Sequence, residues 1–262
     1  MLWQDFRVDS RYMNINLNRP YPAPNAPWVM RQTWEKLLFM HWPVAIDLLR
    51  PLIPDELAID TFDGQAWIAV VPFRMRDIYP LGGFAVPWIS AFAELNVRTY
   101  VIRDGKPGVW FFSLDAANRL AVQIARHWFK LPYFHADMTC RPAQHAADSA
   151  VIDYYSQRTH RGSARAVFEG RYRPVGPVFT AQPDSLEYFL TARYCLYIAA
   201  ETGNILRGEI DHMPWPLQVA QADIVCNTMT QWLGIDLPNQ APLLHYADYL
   251  DVVVWPLRGT KD

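Results

Sequence analysis

The chain has 262 residues, 51% hydrophobic and 19% charged, with a formal net charge of −2. That composition is globular, not disordered, and carries no basic surplus to neutralise nucleic-acid phosphates. A chain this long buries enough apolar surface to need neither disulfides nor a structural metal.

Residues 1–27 read as an irregular lead-in, with the Pro-rich "RPYPAPNAPW" extended. "TWEKLLFMHW" reads as a strand entering the fold, and "PVAIDLLRPLIP" as a short helix started by Pro43 and ended by Pro51 and Pro54. "QAWIAVVPFRM" is a buried strand by its β-branched and aromatic content, and "YPLGGFAVPW" a Gly/Pro loop. "FAELNVRTYV" alternates: Glu94, Asn96, Arg98 and Tyr100 share one face, and Leu95, Val97, Thr99 and Val101 the other. Asp104-Gly105 is a hairpin turn signal leading into "VWFFSLD". "NRLAVQIARHWF" carries apolar residues at helical spacing. The remainder reads mostly as strands: "YFHADMTC", "AVIDYYSQ", "ARAVFEGRYRP", "FLTARYCLYIAA", "ILRGEI", "LQVAQADIV" and "DVVVWPL". A short helix, "NTMTQWLG", ends at Gly234 as its cap. Many strands, short turns and few helices predict one domain over residues 1–262, a largely antiparallel barrel or curved sheet with helices outside.

Three polar residues on one strand face, Glu94, Asn96 and Arg98, mark either a solvated outer face or the polar lining of an interior. In the second case Glu94 can move protons, Arg98 can grip a carboxylate with two parallel hydrogen bonds, and Asn96 can orient a ligand. The seven histidines form no H-x-H or H-E-x-x-H motif, so no metal site is predicted locally. Satisfied buried histidines are the default, against a site assembled across the fold from His41, His135, His212 or His245. His212 lies beside the rigid Pro214-Trp215-Pro216 corner. Neither a G-x-S-x-G elbow nor a glycine-rich phosphate loop occurs, so no α/β-hydrolase and no nucleotide cofactor is indicated. Cys140, Cys195 and Cys226 form no C-x-x-C pair, which fits reduced thiols. Asp5 and Asp9 interrupt the apolar core a signal peptide needs, and no apolar run reaches membrane-spanning length. A cytoplasmic protein without a membrane partner is expected.

"WEKLLFMHWPV", "LRPLIPDELAIDTFDGQAWIAVVPFRM", "FAELNVRTYV", "GKPGVWFFSLDA", "LPYFHADM", "FLTARYCLY" and "HMPWPLQ" together resemble the YqjF-like family of uncharacterised conserved proteins. More distantly the chain resembles the acetoacetate decarboxylase superfamily. That resemblance implies an α+β fold: a mainly antiparallel β-barrel or cone around an apolar cavity, with a few peripheral helices. It also implies a homo-oligomer. "LRPLIPDEL" is similar to a conserved superfamily segment, and Glu94 falls where the decarboxylases place an active-site glutamate. "ARHWFKLPYF" resembles their "GRE-x-x-G-x-P-K-K": Arg126 matches the arginine, Pro132 the proline, and Tyr133 and Phe134 the two lysines. Neither side chain can form a Schiff base, and Lys130 stands three residues early.

The resemblance and the polar face lead to two readings. One is an enzyme of the lyase, hydratase or isomerase type for a small carbonyl or carboxylate compound, working without a cofactor or metal. Arg98 would hold the anion, Glu94 and His41 would transfer protons, and Tyr133 would donate a hydrogen bond to a carbonyl oxygen. Asn96, Arg126, His135, His212 and Trp215 would bind the substrate. The other is a non-catalytic binding protein for a hydrophobic or aromatic metabolite, suited by the many Trp and Tyr residues.

Overall fold

The computed structural model describes residues 19–80, 91–128, 130–143, 150–200 and 202–260. Strand β1 (Met30–Val44) is followed by helix α1 (Ile46–Leu49), a 3-10 turn over Arg50–Leu52, and strands β2 (Ala58–Ile59), β3 (Ala66–Pro80), β4 (Ala91–Arg103) and β5 (Lys106–Ala116). Helix α2 (Arg119–Trp128) leads to β6 (Tyr133–Pro142), β7 (Ile152–Arg158) and β8 (Val167–Phe179). Helix α3 (Leu186–Thr191) precedes β9 (Cys195–Ala199), β10 (Ile205–His212) and β11 (Leu217–Asn227). A 3-10 turn at Gln231–Leu233, β12 (Leu243–Val254) and β13 (Arg258–Gly259) complete the described chain.

The expected mainly antiparallel, sheet-dominated α+β architecture is what the structure shows. Its closure is a forked ring rather than one simple barrel. Strands β12-β1-β3-β4-β5 form a shared wall. One circuit leaves β5 through β6-β7-β8-β11 and rejoins the wall at β12; the other leaves through β9 and β10 and rejoins the same strand. The forks lie within single strands. Val109 and Trp110 of β5 pair with β9, and Leu114–Ala116 pair with β6. In β12, His245–Ala247 pair with β11 and Val252–Val254 with β10.

Period-two alternation gives the wall two different faces. Leu38, Met40, Ile68, Val70, Leu95 and Val97 join Tyr154, Phe168 and Tyr172 in the core of the first circuit. Phe39, Ala69, Val71 and Phe73 face the other way and pack with Trp215, Ile210 and Val252 in the second circuit. Glu94, Asn96, Arg98 and Tyr100 alternate with Leu95, Val97 and Val101, so they share this second interior.

Several local expectations hold in detail. Asp104 and Gly105 have φ of 52° and 72°, as a tight two-residue turn between Arg103 and Lys106 requires. Gly234 caps its turn in the left-handed region, but that element is a 3-10 turn rather than a helix. Pro43 does not start the first helix: it lies inside β1, and the extended Ala45 takes the N-cap position. Pro51 sits within the 3-10 turn. "FLTARYCLYIAA" is not one strand. Its first part ends α3, whose N-cap Ser185 accepts a hydrogen bond from the Tyr188 amide at 3.1 Å. Cys140 lies within β6. The strand over "QAWIAVVPFRM" runs on through Pro80, taking the first two residues of the expected Gly/Pro loop. Residues 81–88 of that loop and residues 1–18 of the lead-in lie outside the described residues.

At the β5–β9 fork the backbones leave no room for a side chain. A Cβ on Gly108 would lie 2.7 Å from the Cys195 sulfur and 2.8 Å from the Cys195 carbonyl oxygen. Gly108→Ala is expected to destabilise the fold by about 1–3 kcal/mol, read as a lowered urea midpoint at unchanged slope. An unchanged midpoint would show that β9 can move away from β5.

Candidate functional site

Glu94 enters the second interior opposite Phe73 of β3 and Ala116 of β5. It is 1% exposed and has no ion-pair partner among the described residues. Its nearest polar partner is Tyr133, whose hydroxyl donates to Glu94 Oε2 at 3.1 Å. Tyr133 reaches it because β6 starts beside β5 in parallel register, Leu114 opposite Tyr133. Burial raises the Glu94 carboxyl to about 8; the Tyr133 hydrogen bond opposes this, and the Asp115 charge on the other wall face adds to it. Burial and the neighbouring Glu94 carboxyl hold the Tyr133 phenol well above its ordinary range. At neutral pH both groups therefore carry a proton.

Four residues along the strand, Arg98 forms a second polar group with His41 and Tyr100. In register, His41 of β1 stands opposite Ala69 of β3, and Ala69 opposite Arg98 of β4. The guanidinium lies over the rings of Phe39 (5.3 Å) and Tyr100 (5.8 Å) and makes a long contact from Nη2 to the Leu190 carbonyl at 3.4 Å. His41 Nε2 lies 2.6 Å from the Tyr100 hydroxyl. Burial, then the charges of Arg98 and His245, push His41 well below the ordinary imidazole range, so it is neutral. His41 Nδ1, Arg98 Nε, Asn96 Oδ1 and His245 Nδ1 are buried without a hydrogen-bond partner among the described residues. Polar atoms of this kind are costly when unpaired, and here they gather on one face of the wall.

His212 and Trp215 form the outer side of the same interior. The His212 ring stacks on Tyr194 at 4.7 Å and lies 5.2 Å from Trp215; burial lowers its pKa to about 4. Trp215 Nε1 donates to the Thr191 carbonyl at 2.9 Å and the indole packs edge-on against Phe39. Beyond this layer a cleft of about 190 Å³ opens, walled by Gln182, Tyr188, Tyr194 and Trp215. The cleft does not reach Glu94, and its lining has no carboxylate, histidine or cation. The titratable side chains of this interior lie on the polar wall beneath it.

Arg126 and His135 stand at the rim. Arg126 is exposed on α2 and donates to the Tyr133 carbonyl at 2.6 Å, so it holds the start of β6. His135 bonds Thr159 Oγ1 at 2.9 Å and accepts from Arg119 Nε at 3.3 Å. Lys130 is exposed. Among the described residues, no group of three or more His, Cys, Asp or Glu side chains is arranged to hold a metal ion. No described helix is long and apolar enough to cross a membrane.

Sequence reasoning passed over a buried ion pair on the opposite wall face. Arg158 Nε donates to both Asp115 carboxylate oxygens, at 3.0 and 3.1 Å, and both side chains are essentially inaccessible. Arg158 also lies 4.2 Å from the Phe134 ring centre and 5.1 Å from that of Trp232. No signal joins "SLDA" to "SQRTH"; only the ring closure does. Tyr100 was legible as a member of the polar face, but its bond to His41 was not.

The fold and this geometry can be set beside known proteins. The model of a family described as an uncharacterized conserved protein matches residues 31–251. The chain belongs to this family. It is 48% identical over 251 residues to the uncharacterized protein YqjF of Bacillus subtilis (strain 168), covering 96% of this chain and 99% of that one. Among solved structures, the enduracididine biosynthesis enzyme MppR complexed with pyruvate is similar at a TM-score of 0.60 and 11% identity, over 90% of this chain and 92% of that chain. The acetoacetate decarboxylase of Legionella pneumophila is similar at a TM-score of 0.56 and 11% identity, over 92% and 91%. At such identities these two structures establish the acetoacetate decarboxylase-like fold alone.

Proposed function

We propose that this family member is an enzyme of the lyase, hydratase or isomerase type, acting on a small carbonyl compound in the second interior without a Schiff-base lysine. The observation that carries the reading is the protonated Glu94 in contact with the Tyr133 phenol. In this buried site the Glu94 O–H, and the Tyr133 O–H once it turns from Glu94 to the ligand, can both donate to a carbonyl oxygen and stabilise the negative charge it gains as an enolate forms. Glu94 can also deliver a proton and recover it. The ligand named for the MppR complex, pyruvate, is a carbonyl acid, which agrees with this substrate class.

A second reading has its own observation. The cleft between Tyr188, Tyr194 and Trp215 suits a planar apolar molecule held without chemistry.

A thermal-shift screen of keto acids, hydroxy acids and aromatic metabolites separates the two. The enzyme reading expects a carbonyl acid to raise the melting temperature of the wild type. In Tyr133→Phe its affinity should fall about tenfold through loss of one buried hydrogen bond. Aromatic ligands unaffected by Glu94→Gln and Tyr133→Phe, but lost in Trp215→Ala, would replace that reading with the binding protein.

A further inference from the structure

The Glu94–Tyr133 pair and the Arg98–His41 pair lie on one face, but they are not one contact. Glu94 and Arg98 are four residues apart on an extended strand, so their Cα atoms are about 13 Å apart. Each side chain is held by different neighbours: Glu94 by Tyr133, and Arg98 by the rings of Phe39 and Tyr100. No carboxylate pairs with Arg98 among the described residues, although it is 8% exposed. A buried guanidinium without a counter-charge is expensive, and an anionic ligand would remove that cost. Ala69 has the smallest side chain in its cross-strand row, and the row places it between His41 and Arg98. Neutral His41 carries one ring proton, and the tautomer suited to an anion puts it on Nδ1, with the Tyr100 phenol then donating to Nε2. That proton and the Arg98 Nε–H are then two unpaired donors flanking Ala69.

We propose that Arg98 and His41 form the carboxylate subsite for a ligand whose carbonyl lies at Glu94 and Tyr133, so that the substrate class is an extended oxo acid. The proposal rests on the Glu94–Tyr133 reading above and adds the length of the molecule. In a 2-oxo acid the carbonyl and carboxylate carbons are directly bonded, about 1.5 Å apart. Hydrogen bonds add about 3 Å at each end, giving a reach of roughly 7–8 Å. Side chains stand roughly perpendicular to a strand, so the two protein groups inherit a spacing close to that of their Cα atoms, on the order of 10–13 Å. The difference corresponds to three to six bonds between the carbonyl and carboxylate carbons, as in 4-oxo to 7-oxo acids, at roughly 1.2 Å of extended chain per bond.

The test is calorimetric titration of the folded protein with pyruvate, 4-oxopentanoate, 5-oxohexanoate and 6-oxoheptanoate, with hexanoate and 2-hexanone as one-ended probes. Wild type, Glu94→Gln, Arg98→Gln and the charge-keeping Arg98→Lys are compared, each checked for a cooperative melt. Binding should be tightest within the 4-oxo to 6-oxo series. It should weaken tenfold or more for 2-hexanone and in Arg98→Gln, with partial recovery in Arg98→Lys. Glu94→Gln should weaken the oxo acids and leave hexanoate unchanged. Pyruvate binding tightest, and weakened by both Glu94→Gln and Arg98→Gln, would overturn the extended ligand while sparing the Glu94–Tyr133 reading. Oxo acids that ignore Glu94→Gln while hexanoate responds to Arg98→Gln would remove that reading, and the proposal with it. Affinity indifferent to both Arg98 variants, or no binding of any acid by the wild type, also overturns it.

Discussion

Glu94→Gln is expected to lower turnover of the proposed carbonyl substrate by roughly a hundred- to ten-thousand-fold, the range lost when a positioned acid or base is removed. Gln keeps the shape and a hydrogen-bonding amide but has no proton to give. The wild-type rate should fall as pH rises through about 8, where the buried carboxyl ionises, and the residual activity of the variant should lack that limb. The same carboxyl makes a stability prediction of opposite sign. Folding raises its pKa from 4.5 to about 8, so the unfolded chain releases a proton that the folded one retains. Its contribution is fully present below about pH 4.5 and is lost as pH rises to about 8. Glu94→Gln escapes that loss and should be the more stable protein at pH 7, by about 3 kcal/mol. Asp115, raised to about 6 by burial against the opposing pull of Arg158, adds a slope of its own at lower pH. The buried histidines His41 and His212, protonated only on unfolding, add the same slope to both proteins, so the difference in slope between wild type and Glu94→Gln in urea titrations from about pH 6.5 to 8 isolates Glu94. Equal slopes in wild type and variant over that window would mean the carboxyl is already ionised, and the neutral-acid mechanism would fall.

The largest loss of stability should come from Arg158→Met. Arg158 and Asp115 are both fully enclosed, so removing the guanidinium leaves a carboxyl with neither water nor a counter-charge. Breaking such a pair costs about 3–5 kcal/mol, whereas replacing both members can be nearly neutral. The Asp115→Asn/Arg158→Met double variant is therefore expected to recover much of the loss. The penalty in the single variant should shrink at acid pH, where Asp115 takes up a proton. Denaturant midpoints of the four proteins at pH 5 and pH 8 complete the cycle. Additive losses would show that the pair is not coupled and that the damage comes from lost packing on Phe134 and Trp232.

The polar face of β4 was legible because side chains on a strand alternate with period two. Which way that face points was not. Polar alternation reads alike on an outer surface and in a lined interior, and only the pairing of β5 with β4 and of β12 with both β10 and β11 decides it. The mistaken strand over "FLTARYCLYIAA" has a similar cause. Phe189, Leu190 and Thr191 have the composition of a strand, while the helix start lies upstream at Ser185, with Glu187 in the first turn. Tyr133 was found from the resemblance and not from any local pattern. Its contact with Glu94 depends on β6 running parallel to β5, a pairing with no short-range signal. His41, Ala69 and Arg98 come together through cross-strand register, which sequence spacing does not encode.

The shared wall also dictates an order of events during synthesis. β1 can finish pairing with β3 as soon as both have emerged, but its other edge waits for β12, where Met30 meets Val254. Until β12 has been made, neither circuit can close and an edge of β1 stays open to pairing with foreign strands. A protein wired this way should fold slowly, on the millisecond-to-second scale of topologies dominated by distant contacts, and only once β12 is available. Truncation before β12 would leave an aggregation-prone sheet rather than a smaller working protein.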